Sequence, residues 1–508
     1  MVKETLKRKR LKSNFNVYII FLAMIDNNVT SSLKIDNDCF KLSFKHEIVN
    51  DGEVSLQSYF DSIGFHYKLK DLPFALKKGL LAINTNSFSK NELGLIVLKK
   101  GNYGDLSLFL YYLSHLEELG ALEYKLYKFG MLFCRYENMT GTTDFSRTKN
   151  FYSAFKLSKF SFIRLINEEY ILESSIGTSK IALIDKNSIQ IVFLLSQFKT
   201  IQEISTLLSL DEELILSFYI LLSTGEFLEF IDAKNENSAL ELWNFHDLLF
   251  HNRSRYGRHN YNSGATYRFL ETRPPKKIKK QVRNTLKTIS LEKPLKLDLK
   301  KSKTLQKCLD TRYSSREFDG FDLRSLSHFL YRTLKLNKHS DYTIEGESNK
   351  KVTFETYTAP YPSGGAIYEL NFYITILNCE GLEPGFYYYN PIQHELSLLH
   401  HQNKQTKSML WYANACTGMS EAPPVLITFS ADFERFFWKY ESMAYSAILK
   451  HVGVVYQTMY LVATDMNIGA CALGNGNTEI FENLSNNMSL KESSVGEFIL
   501  GHIKNKII

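Results

Sequence analysis

Lys439 and Tyr440 are adjacent side chains that can both handle protons, and they stand where an aromatic run meets a long helical pattern. A tyrosine acts as a base when a nearby cation or hydrogen bond lowers its pKa, and an adjacent lysine supplies such a cation. On a helix the two side chains would differ in direction by about 100°, so one could face a cleft while the other contacts a neighbouring loop. Taken alone, the pair is also compatible with a surface lysine beside a core tyrosine.

An anion-binding pattern lies upstream, in the segment Arg312-Tyr313-Ser314-Ser315-Arg316. Two guanidinium groups and two hydroxyls so close together offer the donors and the positive charge that a phosphate monoester needs. The alternative is a helix start with Ser314 or Ser315 as its N-cap. The two interpretations are compatible, because helix N-termini also bind anions.

Two glycine-rich segments complete this set of motifs. Ser363, Gly364 and Gly365 form a predicted turn in which the backbone can approach a flat ligand, because two successive residues lack Cβ. The segment from Gly469 to Gly476 follows the long helical pattern and is not a GxGxxG after a strand, which argues against a Rossmann nicotinamide site. Together the four motifs predict a bound phosphate cofactor beside a site of proton chemistry.

The bulk composition is that of an ordinary folded protein. The chain has 508 residues, of which 44% are apolar and 23% charged, so several domains with real cores are expected. The net charge of +7 is mild for this length, and the basic residues do not form aromatic-interleaved stripes, so we expect no nucleic-acid partner. The six cysteines are scattered without metal-ligand spacing, which argues against zinc and disulfides and predicts a cytoplasmic protein.

We also expect no membrane span. The apolar run at 17–25 is followed by Asp26 and two asparagines without a cleavage site, so it predicts a buried strand rather than a signal peptide. The most apolar helical pattern, at 445–464, carries Lys450 and His451, which are costly in lipid.

The elements that must position the motifs divide the chain into four predicted parts, at 1–140, 141–240, 241–303 and 304–508. Residues 105–124 and 211–230 repeat one design of helix, glycine and short strand, which is typical of winged-helix domains, with preceding helices expected near 92–98 and 189–195. The helices in the recognition position are acidic or apolar, which favours a peptide or protein ligand over DNA. The basic stretch at 274–304 is expected to be a solvated linker.

From Thr304 onward the pattern predicts a compact α+β domain. We expect strands at 370–377, 385–389 and 425–429, a hairpin that turns at Asn390-Pro391, and a helix from about Trp438 to Met466. One apolar stripe of this helix fits either a subunit interface or an intrachain core; it consists of Ala444, Ile448, Val452, Val455, Met459 and Val462.

In these motifs the chain resembles flavin enzymes of the nitroreductase fold, and more narrowly the SagB/ThcOx-type azoline dehydrogenases of ribosomal peptide maturation. The resemblance covers about 240–508. It implies an α+β flavin domain with a central mixed or antiparallel sheet flanked by helices, preceded by tandem winged-helix-like, peptide-binding domains. The segments that carry it are Trp243 to Gly257, Arg312 to Phe318, Tyr361 to Gly365, Gly385 to Tyr389, Lys439-Tyr440, Gly469 to Gly474 and Phe498 to His502.

The resemblance implies FMN as the cofactor and assigns its contacts by position. The implied contacts are Arg312, Ser314 and Arg316 at the phosphate, Ser363, Gly364 and Gly365 along the isoalloxazine ring, the backbone of Leu473 and Gly474 near flavin N5, and His502 or Lys504 as a second phosphate contact, where the usual arginine is absent.

The implied reaction oxidises a thiazoline or oxazoline in a peptide to a thiazole or oxazole. A base removes the ring α-proton while the β-carbon delivers a hydride to flavin N5. Our hypothesis makes Tyr440 the general base and lets Lys439 orient the ring or tune Tyr440, and the two roles could be exchanged. The implied partners are an azoline-containing precursor peptide, a cyclodehydratase complex and a second copy of the chain.

Three other functions stay open at this stage. The chain could be a generic nitroreductase-like flavoenzyme that acts on small molecules, a flavin-less peptide-binding subunit of a maturation complex, or a winged-helix DNA-binding regulator.

Overall fold

The computed structural model of this protein describes most of the chain. The described residues are 40–44, 48–50, 54–56, 67–69, 72–85, 88–118, 121–140, 143, 145, 152–232, 238–278, 284–295, 302–346 and 348–504. The strand predicted at 17–25 and Cys39 lie outside these residues.

In its described residues, the first half combines antiparallel sheets with two groups of three helices. Its strands are β1 (Phe40–Phe44), β2 (Ile48–Asn50), β3 (Val54–Leu56), β4 (Tyr67–Leu69), β5 (Leu122–Lys128), β6 (Met131–Asn138), β7 (Phe155–Leu157), β8 (Ser161–Ile166), β9 (Glu169–Ser174), β10 (Ser179–Leu183) and β11 (Leu228–Phe230). Its helices are α1 (Phe74–Thr85), α2 (Lys90–Leu98), α3 (Tyr103–Glu118), α4 (Lys186–Leu194), α5 (Ile201–Leu208) and α6 (Glu212–Thr224).

These elements form one continuous structure across the boundary predicted at 140. A six-stranded sheet has the order β1-β5-β6-β10-β9-β8, while β7 pairs with β11 and β2-β3-β4 form a small sheet. One hydrophobic cluster contains Phe109 of α3 together with Phe218 and Leu221 of α6. The helices expected near 92–98 and 189–195 are present as α2 and α4. The winged-helix assignment and the division into units stay predictions.

Local sequence explains where several of these helices begin. At α2 the Ser89 hydroxyl accepts a hydrogen bond from the Glu92 N–H at 3.2 Å, and the Glu92 carboxylate accepts one from the Ser89 N–H at 2.7 Å. Thr200 and Glu203 form the same reciprocal capping box at α5. Each box satisfies N–H groups that the first helical turn leaves unpaired.

The connector between the two halves is partly built into the second half. It contains α7 (Ser238–Glu241), α8 (Phe245–Arg253), β12 (Gly264–Ala265) and β13 (Lys287–Ser290). Because β13 pairs with residues 395–398 at the edge of the main C-terminal sheet, the expectation of a plain solvated linker at 274–304 is wrong for this part.

The C-terminal half is an α+β domain around a seven-stranded sheet in which every neighbouring pair is antiparallel. Its further strands are β14 (His339–Glu345), β15 (Lys351–Tyr357), β16 (Leu370–Ile376), β17 (Gly385–Asn390), β18 (Glu395–His401), β19 (Val425–Asp432), β20 (Tyr440–Glu441), β21 (Ile468–Leu473) and β22 (Glu492–His502). Its helices are α9 (Leu305–Thr311), α10 (Leu323–Leu334), α11 (Lys404–Thr417), α12 (Phe433–Phe437), α13 (Ala444–Asp465) and α14 (Thr478–Ser485).

The order of the main sheet is β13-β18-β17-β16-β19-β22-β21, with helices on both faces. Alternate side chains of β16 point to opposite faces of the sheet. Phe372 and Ile374 pack in a hydrophobic cluster with α10 and α13, whereas Tyr373 packs in another with α11 and α14. The strands expected at 370–377, 385–389 and 425–429 and the hairpin β17–β18 are confirmed. The α+β fold class with an antiparallel central sheet is likewise confirmed.

The long helix starts later than the sequence predicts. It begins at Ala444 rather than near Trp438, so Lys439 and Tyr440 do not lie on it and their expected helical separation is wrong. The chain is extended at β20, which pairs with β12, and Ser442 has a positive φ of 53° that breaks any helix there. Of the predicted stripe, all members except Val462 are buried in the core of this chain. No helix in the described ranges is long and apolar enough to cross a membrane.

Candidate active site

The connector holds Lys439 and Tyr440 in place from one side. Ala265 pairs with Tyr440 in the β12–β20 ladder, and the Tyr267 N–H donates to the Lys439 carbonyl at 3.1 Å. The indole N–H of Trp438 donates to the Arg273 carbonyl at 2.8 Å. Backbone contacts on both sides of the pair therefore fix its position, and they come from a segment more than a hundred residues upstream.

Lys439 lies in an aromatic box, whereas Tyr440 faces a cavity. Lys439 is 8% exposed, and its ammonium lies 5.1, 5.3 and 5.4 Å from the ring centroids of Tyr267, Phe354 and Tyr440. Aromatic faces attract a cation at such distances. Tyr440 forms part of the wall of a cavity of about 930 Å³ between the N-terminal sheet, the connector and the C-terminal domain. Tyr440 is therefore the member of the pair that a molecule in the cavity can touch.

The pKa of Tyr440 is raised rather than lowered. Burial of the phenol is the largest effect and raises the pKa, and the charge and hydrogen bond of Lys439 lower it without cancelling the rise. The expectation that Lys439 brings the pKa of Tyr440 below its ordinary value is therefore wrong in its net direction. At neutral pH the resting group is a neutral phenol with a cation beside it.

The predicted glycine turn meets this pair directly. Gly365 has a φ of +62°, and a Cβ built there would lie 2.5 Å from Lys439 Nζ and 2.8 Å from Tyr440 Oη. Ala366 and Tyr368 also have positive φ angles, of 55° and 49°, which L-residues adopt at a cost. A side chain at position 365 would therefore be strained by the positive φ and would displace the ends of the Lys439 and Tyr440 side chains.

Two residues that the sequence does not single out as site residues hold this turn. Nε2 of His451 accepts a hydrogen bond from the Gly364 N–H at 2.9 Å, so the ring hydrogen is on Nδ1, which donates to Glu369 Oε1 at 2.6 Å. The Ser363 hydroxyl donates to Glu369 Oε2 at 3.0 Å and accepts from the Tyr368 N–H at 3.0 Å. The only sequence signal is a histidine within an apolar helix.

The predicted phosphate loop is not a helix start. Residues 312–316 follow α9, and the next helix begins at Leu323 with Asp322 as its N-cap, so the N-cap alternative for Ser314 or Ser315 is wrong. The Ser314 hydroxyl instead forms a 2.9 Å hydrogen bond with the Tyr460 hydroxyl. The Arg312 guanidinium lies 5.0 Å from the Tyr460 ring centroid, and the Arg316 side chain is exposed.

The second glycine segment lies beside this loop. Leu473 ends β21 and Gly474 follows it, with open space where a Cβ would be. The Ala472 N–H donates to the Tyr460 hydroxyl at 2.8 Å, so Tyr460 connects the Ser314 loop to the end of β21. The sequence does not indicate this role of Tyr460.

The two C-terminal candidates for a second phosphate contact differ in their surroundings. Nε2 of His502 lies 2.8 Å from Asp322 Oδ2, so its ring already has a partner. Lys504 is exposed, and its N–H donates to the Glu317 carbonyl at 3.4 Å, which brings it alongside the loop that carries Arg316.

A buried carboxyl group lies near the same strand end. Glu497 of β22 is opposite Leu473 and is 5% exposed. A Cβ on Gly476 would lie 2.1 Å from its carboxylate, so a side chain there would displace the Glu497 carboxyl group. Burial raises the pKa of Glu497 to about 7.

Within one chain the predicted site residues therefore form two groups. Ser363, Gly364 and Gly365 lie with Lys439, Tyr440 and His451, whereas Arg312 and Ser314 lie with Leu473, Gly474 and Tyr460. His451 and Tyr460 are nine residues apart on α13. This spacing is two and a half turns, so they point to opposite sides of the helix and about 13–14 Å apart along it.

Comparisons with known proteins agree with the motifs. A family model described as cyanobactin oxidase ThcOx matches residues 155–260, and the nitroreductase family model matches residues 343–502. The resemblance to ThcOx-type oxidases of the nitroreductase fold is thus confirmed. The ThcOx match runs from β7 through the second helical group into the connector and crosses the boundary predicted at 240. The class of function that both matches support is an oxidoreductase.

Individual relatives are distant. A candidate nitroreductase of Methanocaldococcus jannaschii is 27% identical over 172 residues, which are 34% of this chain and 78% of that protein. A candidate nitroreductase structure from Ralstonia eutropha has a TM-score of 0.33 at 19% identity and covers 46% of this chain and 99% of its own. The Escherichia coli microcin synthetase McbBCD complex with truncated pro-MccB17 has a TM-score of 0.29 at 19% identity, over 39% and 73% of the two chains.

The donor set around the 312–316 loop fits an anionic group such as a phosphate monoester. The half-buried Arg312 and exposed Arg316 offer guanidinium groups to an anion, and Gly474 leaves open space beside the backbone. Guanidinium groups and a nearby lysine suit a phosphate monoester. The described ranges contain no cluster of three or more His, Cys, Asp or Glu side chains placed to hold a metal ion.

Proposed function

We propose that this protein is an FMN-dependent dehydrogenase that oxidises thiazolines or oxazolines in a ribosomally made peptide to thiazoles or oxazoles. The observation that supports this most strongly is the convergence of Lys439 Nζ and Tyr440 Oη on Gly365. Tyr440 also lines a cavity of about 930 Å³, which has room for a peptide segment that carries a ring.

Tyr440 is the proposed general base. The α-proton of an azoline is acidified by the adjacent C=N and carbonyl groups, so a base of modest strength suffices. Tyr440 must be ionised to phenolate before it can accept that proton. The Lys439 ammonium beside it stabilises this phenolate. FMN, when bound, supplies the acceptor for the hydride that leaves the β-carbon. The aromatic box around Lys439 keeps this cation next to Tyr440 and away from water.

The cofactor would be held by the two groups of residues described above. Arg312, Ser314, Arg316 and one of His502 and Lys504 would bind the phosphate, and Lys504 is favoured because His502 is paired with Asp322. Ser363 to Gly365 would line the ring, with the backbone of Leu473 and Gly474 near N5. Since the two groups lie on opposite sides of α13, we propose a homodimer in which each site takes residues from both copies.

The proposed partners follow from the same assignment. The substrate is an azoline-containing precursor peptide, and a cyclodehydratase complex would supply it. We propose that the N-terminal units at 1–140 and 141–240 bind the peptide or the partner enzyme, and that the protein works in the cytoplasm.

The test is flavin content and turnover of the purified full-length protein with an azoline-containing peptide. The readout is the loss of two hydrogens per ring by mass spectrometry. Tyr440→Phe should abolish this loss and Lys439→Ala should slow it at neutral pH, whereas Tyr445→Phe, at another tyrosine of the same cavity, should change it little. Bound flavin without azoline oxidation would favour the generic flavoenzyme, and absence of flavin would favour the peptide-binding subunit.

A further inference from the structure

The cavity at Tyr440 has a strongly charged wall. Three carboxylates face it, and each has a basic partner on the same wall: Glu123 with Arg135 at 3.6 Å, Glu137 with Lys180 at 3.1 Å, and Glu441 with Arg268 at 3.1 Å. Ion pairs of this kind leave little net charge for a ligand to meet. The charge that remains belongs to a fourth basic residue, Arg253.

Arg253 ends α8 and reaches the cavity over an aromatic ring. Its guanidinium carbon lies 3.6 Å from the ring centroid of Tyr261. The nearby Glu173 carboxylate accepts two hydrogen bonds from the Arg164 guanidinium, at 2.7 and 3.0 Å, and one from the Tyr261 hydroxyl. Within the described ranges no carboxylate forms an ion pair with Arg253.

Burial makes this arrangement costly for Arg253. Desolvation is the largest effect on its pKa and lowers it, and Tyr261 and the nearby Glu173 carboxylate raise it without cancelling the fall. A guanidinium stays charged at neutral pH. A partly desolvated cation that rests on a ring gains from an incoming anion, because the low-dielectric surroundings strengthen their attraction. The fork of N–H groups on arginine matches the two oxygens of a carboxylate.

We propose that Arg253 is a specificity-determining subsite that binds a carboxylate of the substrate peptide while the ring lies at Tyr440. The inference rests on the proposed function for the identity of the ligand as a peptide, and Arg253 and Tyr440 line one cavity. The carboxylate is either an aspartate or glutamate side chain near the ring or the C-terminal carboxylate of the peptide. The subsite selects acidic peptides and takes no part in proton transfer.

The test measures binding without turnover. Short synthetic peptides with an already aromatic thiazole and a fluorescent label are titrated with full-length protein, and affinity is read from fluorescence anisotropy. One series compares aspartate with asparagine at each position flanking the ring, and a second compares a C-terminal acid with the amide. Wild type should bind the acidic peptide of one pair at least about 10-fold more tightly than its neutral counterpart, as a charge-assisted hydrogen bond predicts.

Variants assign the preference to Arg253. Arg253→Gln should remove it, Arg253→Lys should keep part of it, and Arg255→Gln, at an exposed arginine two residues on, should leave it unchanged. Thermal unfolding of each variant checks that the fold is intact. If Arg253→Gln does not fold, the partial preference of Arg253→Lys and its loss in high salt carry the same conclusion.

The outcomes separate this inference from the proposed function. Equal binding of both members of every pair by wild type would overturn the subsite, and so would a preference that persists in Arg253→Gln. Azoline oxidation without any acid preference would refute the subsite alone. An acid preference that depends on Arg253 without azoline oxidation on any peptide would support the subsite and refute the proposed reaction.

Discussion

A Gly365→Ala substitution should separate stability from catalysis at the proposed site. The new Cβ would lie 2.5 Å from Lys439 Nζ and 2.8 Å from Tyr440 Oη, whereas ordinary contact begins at 3.4 Å. The two atoms must therefore withdraw by 0.9 and 0.6 Å respectively. A misplacement of about 1 Å in reacting groups costs about 100-fold in rate. The positive φ adds about 1–2 kcal/mol to the cost of folding, which a domain of this size tolerates.

The assay pairs initial rates of azoline oxidation with urea unfolding and flavin content. Gly453→Ala is the matched control, because it makes the same chemical change on α13, where no atom beyond the neighbouring backbone of the helix lies within 4 Å of the new Cβ. Alanine in a helix should leave stability equal or higher by about 0.5–1 kcal/mol and leave the rate unchanged. A Gly365→Ala protein with full activity would refute the role of this close approach. If the loss of activity equals the fraction of Gly365→Ala protein that is unfolded, this role is likewise refuted.

Three further substitutions test other parts of the site. Glu497 keeps its proton in the folded state up to about pH 7, whereas the unfolded chain loses it near 4.5, so wild-type stability should fall as the pH rises through this window. Above pH 7, Glu497→Gln should be more stable than wild type by about 3 kcal/mol in urea unfolding, and below pH 4 the two proteins should be equally stable. The control Glu421→Gln, at an exposed residue, should be as stable as wild type throughout. Lys439 lowers the pKa of Tyr440, so Lys439→Met should raise that pKa further. The increase of kcat/KM for azoline oxidation with pH should then occur at higher pH than in wild type, and an unchanged pH profile would contradict this. His451→Ala should lose about 1–3 kcal/mol of unfolding free energy and lower kcat, because the N–H of the glycine turn loses its acceptor. His451→Gln should recover part of both, and equal behaviour of the two variants would argue against that hydrogen bond.

The sequence predicts the parts of this fold that depend on local pattern. The central strand β19 follows Pro423-Pro424 and opens with Val425 to Phe429, a short run in which Thr428 is the one polar residue, so a brief apolar run after a breaker identifies it. The β17–β18 hairpin is indicated by Asn390-Pro391, and the site motifs are recognisable because their residue types are unusual together.

Features that depend on distant contacts are not predicted. The apolar pattern of α13 continues upstream of Ala444, and only pairing with β12 draws Tyr440 into an extended conformation. Glu369 and His451 are 82 residues apart, so nothing local marks their hydrogen bond. The direction of the Tyr440 pKa shift also escapes the sequence, because an adjacent lysine is visible there and the extent of burial is not.

The short β12–β20 ladder has a consequence for exchanging catalytic domains between related proteins. Lys439 and Tyr440 take their backbone geometry from residues 264–273, which lie outside the fragment that begins at Thr304. A chimaera joined at 304 would combine the pair of one parent with the supporting ladder of another. A junction upstream of α8 instead transfers Lys439 and Tyr440 together with residues 264–273, which hold their backbone in place.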